Sequence, residues 1–277
     1  MPAPTRMMLE ITGNCPGECA ICLPREERSG RDMTVPEVIS LGLQAKRLGV
    51  TQVMLAGYGN PATHPEFDLI THWLASKLKL TVAVVCRPRH LPLVSCADVA
   101  LVSVETPEDA GAIARAEIPM LSPVNAHIIL SDRTAARINE TLRTLASIPR
   151  LGLVNIMTAV KLCEDPRHIQ AVREANANLP ANVQALHEAI ARLPEASRVK
   201  FQWVGDHPYW NHCPFALGAM IYVDSNLVLR PCCHLPMGGS LGNLRETVLA
   251  VALEQSWGAW VAGTKTWAPC MRCPDGG

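Results

Sequence analysis

No sign of charge predominates in this sequence. Its 25 lysines and arginines balance 25 aspartates and glutamates, so it offers no basic surface for nucleic acid or for an acidic membrane. No apolar run reaches the roughly 18 residues that a membrane span requires. The first residues, Met1-Pro2-Ala3-Pro4-Thr5-Arg6, lack the apolar core of a secretory signal. Neither a fixed-period repeat nor a low-complexity tract interrupts the chain. These absences point to a cytoplasmic protein with neither nucleic acid nor membrane as partner. Its 277 residues suffice for one large domain and a small appendage. Cysteine, by contrast, is plentiful. Eleven cysteines in a chain without an export signal point to metal or redox use rather than to disulfides.

Three of them stand close together in Cys15-Pro16-Gly17-Glu18-Cys19-Ala20-Ile21-Cys22. This CxxxCxxC follows Met7-Met8-Leu9-Glu10-Ile11-Thr12, which reads as a first buried strand running into a loop. Three thiolates so near can converge on one metal centre, and an odd number cannot all pair with one another. Thiolate ligation suits zinc or an iron–sulfur cluster. Structural zinc usually takes four protein ligands, whereas three cysteines on a [4Fe–4S] cluster leave one iron open to a small molecule. The bland alternative is that they pack as small hydrophobes.

Beyond the loop, Thr34-Val35-Pro36-Glu37 is a capping box with proline in the first helical turn. It predicts a helix with Val38, Leu41, Ala45 and Leu48 on one face, stopped at Gly49. Apolar runs at 52–56, 80–86, 99–103, 126–130, 153–158 and 199–204 read as strands. Helical patterns at 66–77, 107–116 and 134–147 fall between them, and a longer one over 166–193 is divided at Pro180. Near-continuous apolar strands alternating with helices predict a parallel α/β sheet. The connection between the third and fourth strands is short and is expected to be irregular. Past about Gly205 aromatics, prolines and glycines rise, and five of the cysteines appear. There Cys213 precedes a hairpin, 219–223 and 227–229, turning at Asp224-Ser225-Asn226, where Asn tolerates the left-handed conformation. Cys232 and Cys233 follow the hairpin, and Cys270-Met271-Arg272-Cys273 closes the set with a CxxC. Four such thiolates are enough to complete a metal site, and zinc is the first thought in isolation. Cys86, Cys96 and Cys163 read as ordinary buried cysteines.

The CxxxCxxC after a first strand resembles the cluster motif of the radical S-adenosylmethionine (SAM) superfamily. The family usually has an aromatic residue before the third cysteine. Here Ile21 takes that place, in a position to pack against the adenine. Gly57-Tyr58-Gly59-Asn60-Pro61, after the second strand, resembles the family's Gly-Gly-Glu-Pro, which holds the methionyl amino group. Asn60 stands at the Glu position, so Gly57, Gly59 and Asn60 are expected to meet the cofactor with backbone groups. Ser103 and Glu105 resemble the family's Ser-x-Asp at the SAM ribose and carboxylate, the alternative being a solvated strand end. Asn125, His127, Met157 and Lys161 are candidates for the adenosine or the substrate. The second cysteine set resembles the twitch domain, a short form of the SPASM domain, with ligands Cys213, Cys232, Cys270 and Cys273 and with Cys233 in reserve for Cys232.

The resemblance implies a mixed α/β fold. A partial (β/α)6 TIM-like barrel would span 1–204, and a small hairpin and helix iron–sulfur domain would span 205–277. It implies a SAM-binding [4Fe–4S] cluster, an auxiliary [4Fe–4S] cluster and SAM itself, with a flavodoxin or ferredoxin-type reductant. The implied activity is reductive cleavage of SAM to a 5′-deoxyadenosyl radical that takes hydrogen from a substrate, with the auxiliary cluster accepting the electron left behind. In layout the chain is most similar to the compact twitch dehydrogenases that oxidise an aminocyclitol alcohol, so oxidation of a small natural-product intermediate is the first expectation. A radical epimerase would need a hydrogen donor such as Cys86, Cys163 or Cys233. A peptide-modifying enzyme is the third reading, although its usual extra recognition domain has no N-terminal residues here to build it. A non-catalytic zinc-binding module is the last. Asp206, His207 and Tyr209 are the candidate catalytic residues at the junction of the two parts, or else they pack the seam.

Overall fold

The computed structural model describes residues 3–16, 22, 28, 30–116, 124–159, 166–194, 199–203, 214–215, 217–233 and 239–257. Seven parallel strands carry the first part: β1 (Arg6–Leu9), β2 (Gln52–Leu55), β3 (Thr81–Cys86), β4 (Val99–Ser103), β5 (Val124–Leu130), β6 (Leu151–Thr158) and β7 (Lys200–Trp203). The helices are α1 (Val35–Arg47), α2 (Phe67–His72), α3 (Pro107–Arg115), α4 (Asp132–Ala135), α5 (Ile138–Ala146), α6 (Pro166–Ala175) and α7 (Leu179–Ala191). Later come β8 (Met220–Val223), β9 (Val228–Arg230), β10 (Gly242–Asn243) and α8 (Leu249–Ala252). All ten strands form one sheet, in the order β10-β9-β8-β1-β2-β3-β4-β5-β6-β7. No helix among the described residues is long and apolar enough to cross a membrane.

Strand alternation sorts the sheet into two faces. Met7 and Leu9, Val53 and Leu55, Val82 and Val84, Val102, Ala126 and Ile128, and Val154 and Ile156 are buried in one core. That core takes Leu41 and Ala45 from α1, Ile70 and Leu74 beyond β2, Ile113 from α3, Leu142 and Leu145 from α5, and Leu186 from α7. Burying so many aliphatic side chains, at about 25 cal/mol per Å² of apolar surface, holds the helical layer to the sheet. The other face carries Met8, Met54, Ser103, His127, Asn155, Met157 and Gln202, and α6 packs Val172 and Ala175 against Ile129 on it.

The β8–β9 hairpin is not a detached lobe. β8 pairs parallel with β1, from Arg6 against Met220 to Leu9 against Val223. Ile221 and Val223 enter the main core, while Met220 and Tyr222 point the other way and cluster with Phe215, Met8, Cys232 and Cys233.

Several local expectations are met and some are corrected. Thr34 and Glu37 form the capping box, α1 ends before Gly49 at φ +93°, and Pro180 sits in the first turn of α7. The β3–β4 crossover is irregular, a run of 3-10 turns over Pro88–Val94. The helix expected over 134–147 is two. Ser131 and Thr134 cap a short α4, and Asp132 is held by the side-chain amides of Asn178 and Asn182 at 2.7 Å each. In the hairpin turn the left-handed residue is Leu227 (φ +66°), not Asn226. Asp224 explains the shift. Its Oδ1 accepts from the Asn226 and Val228 N–H groups, both at 3.0 Å, and its Oδ2 pairs with Arg230 at 2.8 Å. This winds the chain one residue further before β9 begins. Cys86 is buried as expected, but Cys96 is exposed, with its thiol 3.6 Å from Asp68 Oδ1. Cys163 lies outside the described residues.

Removing the α1 cap tests this local account. Thr34→Ala frees the Glu37 N–H and is expected to lower stability by about 1 kcal/mol. It should be seen as a lower urea midpoint at unchanged slope.

Candidate active site

The cysteine loop leaves β1 and is closed at its base. Thr12 and Asp32 form an antiparallel bridge. Around it, Gly13 N–H donates to Arg31 O and Met33 N–H to Ile11 O, both at 2.8 Å. The Thr12 hydroxyl donates to Asp32 Oδ1 at 2.5 Å, and Asn14 Nδ2 donates to the same oxygen at 3.0 Å. Arg31 pairs with Glu37 at 2.5 Å and also donates to the Ser225 carbonyl of the hairpin turn. Cys15 and Cys22 are half-buried thiols in this closed loop. Cys19 and Ile21 lie outside the described residues, as do Cys213, Cys270 and Cys273. So do Lys161 and the candidate catalytic residues Asp206, His207 and Tyr209. Among the described residues no three His, Cys, Asp or Glu side chains gather in a metal-binding group.

The loop after β2 is pressed onto the loop after β1. A Cβ on Gly59 would lie 1.9 Å from the Thr12 carbonyl oxygen, and one on Gly57 (φ +146°) would lie 2.4 Å from Glu10 Oε2. The two glycines are therefore required by contact between loops, whatever they also offer a ligand. Asn60 continues the docking. Its N–H donates to Asn14 O at 2.9 Å, its Oδ1 accepts from Ala62 N–H at 3.2 Å, and its Nδ2 lies 2.5 Å from His90 Nδ1. The carboxamide is thus engaged within the fold, capping the short turn Pro61–Thr63. His90 is held below its ordinary pKa by burial, and then by the charges of Arg89 and Arg87.

Sequence reading missed the centre of this region, Glu10. Its carboxylate is 4% exposed. Oε2 accepts from Tyr58 N–H at 2.7 Å and from the Tyr222 hydroxyl at 3.0 Å, and Oε1 accepts from the Ser225 hydroxyl at 2.7 Å. Burial raises its pKa above 4.5. The Tyr58, Ser225 and Tyr222 hydrogen bonds oppose that rise, and the charge of Asp224 adds to it. The Tyr58 hydroxyl donates in turn to the Cys233 carbonyl. Burial, and then the charges of Cys233, Glu10, Cys232 and Cys22, push this phenol well above 10. Tyr58 thus links Glu10, at the head of the first cysteine loop, to the second cysteine segment. Only a lone Glu inside the apolar run 7–11 hinted at this in the sequence.

Farther along the sheet, Ser103, His127, Asn155 and Gln202 are register partners in turn, making one polar row across β4 to β7. Ser103 Oγ lies 3.5 Å from His127 Nδ1. Glu105, just past β4, pairs with Arg87 at 2.6 Å. Met157 is on the same face, opposite Ile129. Asn125 is placed differently. It stands near the start of β5, where the pairing with β6 shifts register, and its Oδ1 accepts from Leu153 N–H at 3.0 Å. It fills a gap in the ladder, at the opposite end of the strand from the loops just described. Asn155 and Gln202 were missed, although each is a polar residue inside an otherwise apolar strand. Burial pushes the Cys86 thiol up to about 12, so it stays protonated.

No protein-family model matches the sequence, and no protein of curated function matches it. Solved structures do. The SuiB enzyme of Streptococcus suis, bound to S-adenosylmethionine, aligns with 98% of this chain and 70% of its own at 13% identity and a TM-score of 0.68. The same enzyme bound to its precursor peptide SuiA gives 0.66 at 12% identity over the same shares. anSMEcpe, with AdoMet and the Cp18Cys peptide, aligns over 98% of this chain and 86% of its own at 13% identity and a TM-score of 0.63. BtrN in complex with AdoMet and 2-DOIA covers 98% and 92% at 13% identity, but its TM-score of 0.43 is too low to equate the folds. The chain has the mixed α/β, mostly parallel fold of radical SAM enzymes, with a small antiparallel part near its C-terminus.

The Glu10 carboxylate provides a test by pH. Its folded pKa is raised, so the folded state takes up a proton more readily than the unfolded chain. Its contribution to stability is full below 4.5, the ordinary value, and is lost as pH rises through the folded value. The stability difference between wild type and Glu10→Gln, in which other titrations cancel, should fall with rising pH in urea unfolding. A difference that grows with pH would show that the three donors outweigh burial.

Proposed function

We propose that this chain is a radical SAM enzyme. One observation carries the reading: the CxxxCxxC loop is closed at its base and docked on the Gly57–Asn60 loop, on a fold shared with SAM-bound SuiB. The donor chemistry fits. Cys15 and Cys22 are half-buried thiols, and soft sulfur donors with one site left open favour an iron–sulfur cluster over a closed zinc site. Cys15, Cys19 and Cys22 would hold the cluster. Bound there, it supplies the electron that splits SAM into methionine and a hydrogen-abstracting 5′-deoxyadenosyl radical. The protein's own part is placement and exclusion of water. Asn14 and Asn60, joined through the backbone, hold the two loops at a fixed spacing. Backbone groups of Gly57 and Gly59, with Ser103 and Glu105, are assigned to SAM, and Ile21 to its adenine. Arg87 holds the Glu105 carboxylate in place. Cys213, Cys232, Cys270 and Cys273 would hold an auxiliary [4Fe–4S] cluster as electron acceptor.

His127, Asn155 and Gln202, in register beside Ser103, offer hydrogen-bond donors and acceptors rather than a cluster of carboxylates or amines. They support a small polar substrate, bearing hydroxyl or amide groups, that undergoes oxidation. A peptide substrate is the second reading. It is favoured by the likeness to SuiB and anSMEcpe, whose structures hold peptides. Under either, Asp206, His207 and Tyr209 are assigned to the substrate side, and a flavodoxin or ferredoxin-type protein to the supply of electrons.

The test is product formation under anaerobic conditions. Reconstituted wild type with dithionite and SAM should yield 5′-deoxyadenosine and methionine, while the Cys15/Cys19/Cys22→Ala variant yields neither above background. Wild type that binds iron yet never releases 5′-deoxyadenosine would overturn the proposal.

A further inference from the structure

The bonds around Glu10 join three parts of the chain that are distant in sequence. The carboxylate follows β1 and leads into the cysteine loop. Tyr58 comes from the loop after β2, and Tyr222 and Ser225 from β8 and its turn. The carboxylate accepts from Tyr58 N–H at 2.7 Å, Ser225 Oγ at 2.7 Å and Tyr222 Oη at 3.0 Å, the last two bonds fully buried. Tyr58 is fixed at both ends. Its amide is tied to Glu10, and its hydroxyl donates to the backbone carbonyl of Cys233. Its ring therefore bridges the Glu10 carboxylate at the start of the cysteine loop and the Cys233 backbone. Arg31 makes a second tie between the cysteine loop and the hairpin, through the Ser225 carbonyl. The Tyr58 hydroxyl reaches from the β2 loop to the Cys232–Cys233 segment.

We infer that Tyr58, held by Glu10, is a positioning residue that sets where the Cys232–Cys233 segment lies against the Cys22 loop, and so sets the separation between the two cysteine regions. The link is mechanical. With its backbone carbonyl accepting from a fixed phenol, Cys233 and the adjoining Cys232 have few directions in which to move. With both regions carrying clusters, as proposed above, the same link fixes their electronic coupling. The inference rests on that reading for its redox consequence, but not for the clasp itself.

The experiment uses the full chain and two readouts. In the first, metal-free wild type, Tyr58→Phe and Tyr222→Phe are alkylated with iodoacetamide under native conditions, and modification is located by mass spectrometry. Tyr58→Phe loses only the bond to Cys233 and should raise the alkylation rate at Cys232 and Cys233 about five- to thirtyfold. Cys86, buried in the main core, is the internal reference. Tyr222→Phe loses a bond to the same carboxylate but keeps the Cys233 contact, and it corrects for any general loss of stability. In the second, the reconstituted proteins are compared by pulsed EPR. The dipolar coupling between the reduced clusters should weaken or broaden in Tyr58→Phe at unchanged iron content, and hold in Tyr222→Phe. Equal alkylation in wild type and Tyr58→Phe, or equal increases in both variants, would overturn the inference. A wild type that takes up no second cluster would defeat the auxiliary-cluster reading instead, and the alkylation comparison would still decide the clasp.

Discussion

The loop after β2 sits on the end of β1 with no room for a side chain at two of its positions, and the architecture of the candidate site depends on that contact. Gly59 lies against the Thr12 carbonyl and Gly57 against the Glu10 carboxylate. Asn60 N–H closes the contact on Asn14 O. Any Cβ at either glycine forces the loops apart, and the loop being displaced is the one that carries Cys15 and Cys22. A buried carboxylate at this seam would cost several kcal/mol if left without donors. Three short hydrogen bonds offset most of that cost, and two of them come from the hairpin beside β1.

The same contact explains why the hairpin belongs to the barrel sheet. β8 extends the sheet at β1, its inner residues join the main core, and Tyr222 and Ser225 close over Glu10. The cysteine loop after β1 and the Cys232–Cys233 segment, far apart in sequence, are thereby linked through Glu10 and Tyr58. The polar row on β4 to β7 lies on the face opposite the main core, where a substrate's hydrogen-bonding groups can be met without displacing that core.

Much of this fold is legible in the sequence. Parallel strands covered by helices read as apolar runs, and each run from 52 to 204 became a strand within a few residues of its expected bounds. The cysteine spacing and the Gly57–Pro61 loop were legible as neighbours across one strand. What the glycines accommodate was not. The reason lies in Glu10, whose partners Tyr222 and Ser225 are 212 and 215 residues away. No local pattern reports a contact of that range. The side-chain bonds of Asn60 and Asn125 within the fold were equally illegible, since a polar residue near a strand gives no local sign of the backbone groups it will meet. The exposure of Cys96 and the left-handed Leu227 were likewise set by tertiary neighbours rather than by propensity.

The central claim is that two cysteine regions at this seam each hold an iron–sulfur cluster. Iron and sulfide content with Mössbauer spectra, for the anaerobically reconstituted wild type and the Cys15/Cys19/Cys22→Ala variant, tests it most directly. About eight irons per chain in wild type, falling to about four in the variant with the [4Fe–4S] signature retained, is the expected result. Four irons in wild type and none in the variant, with zinc in the remainder, would contradict it.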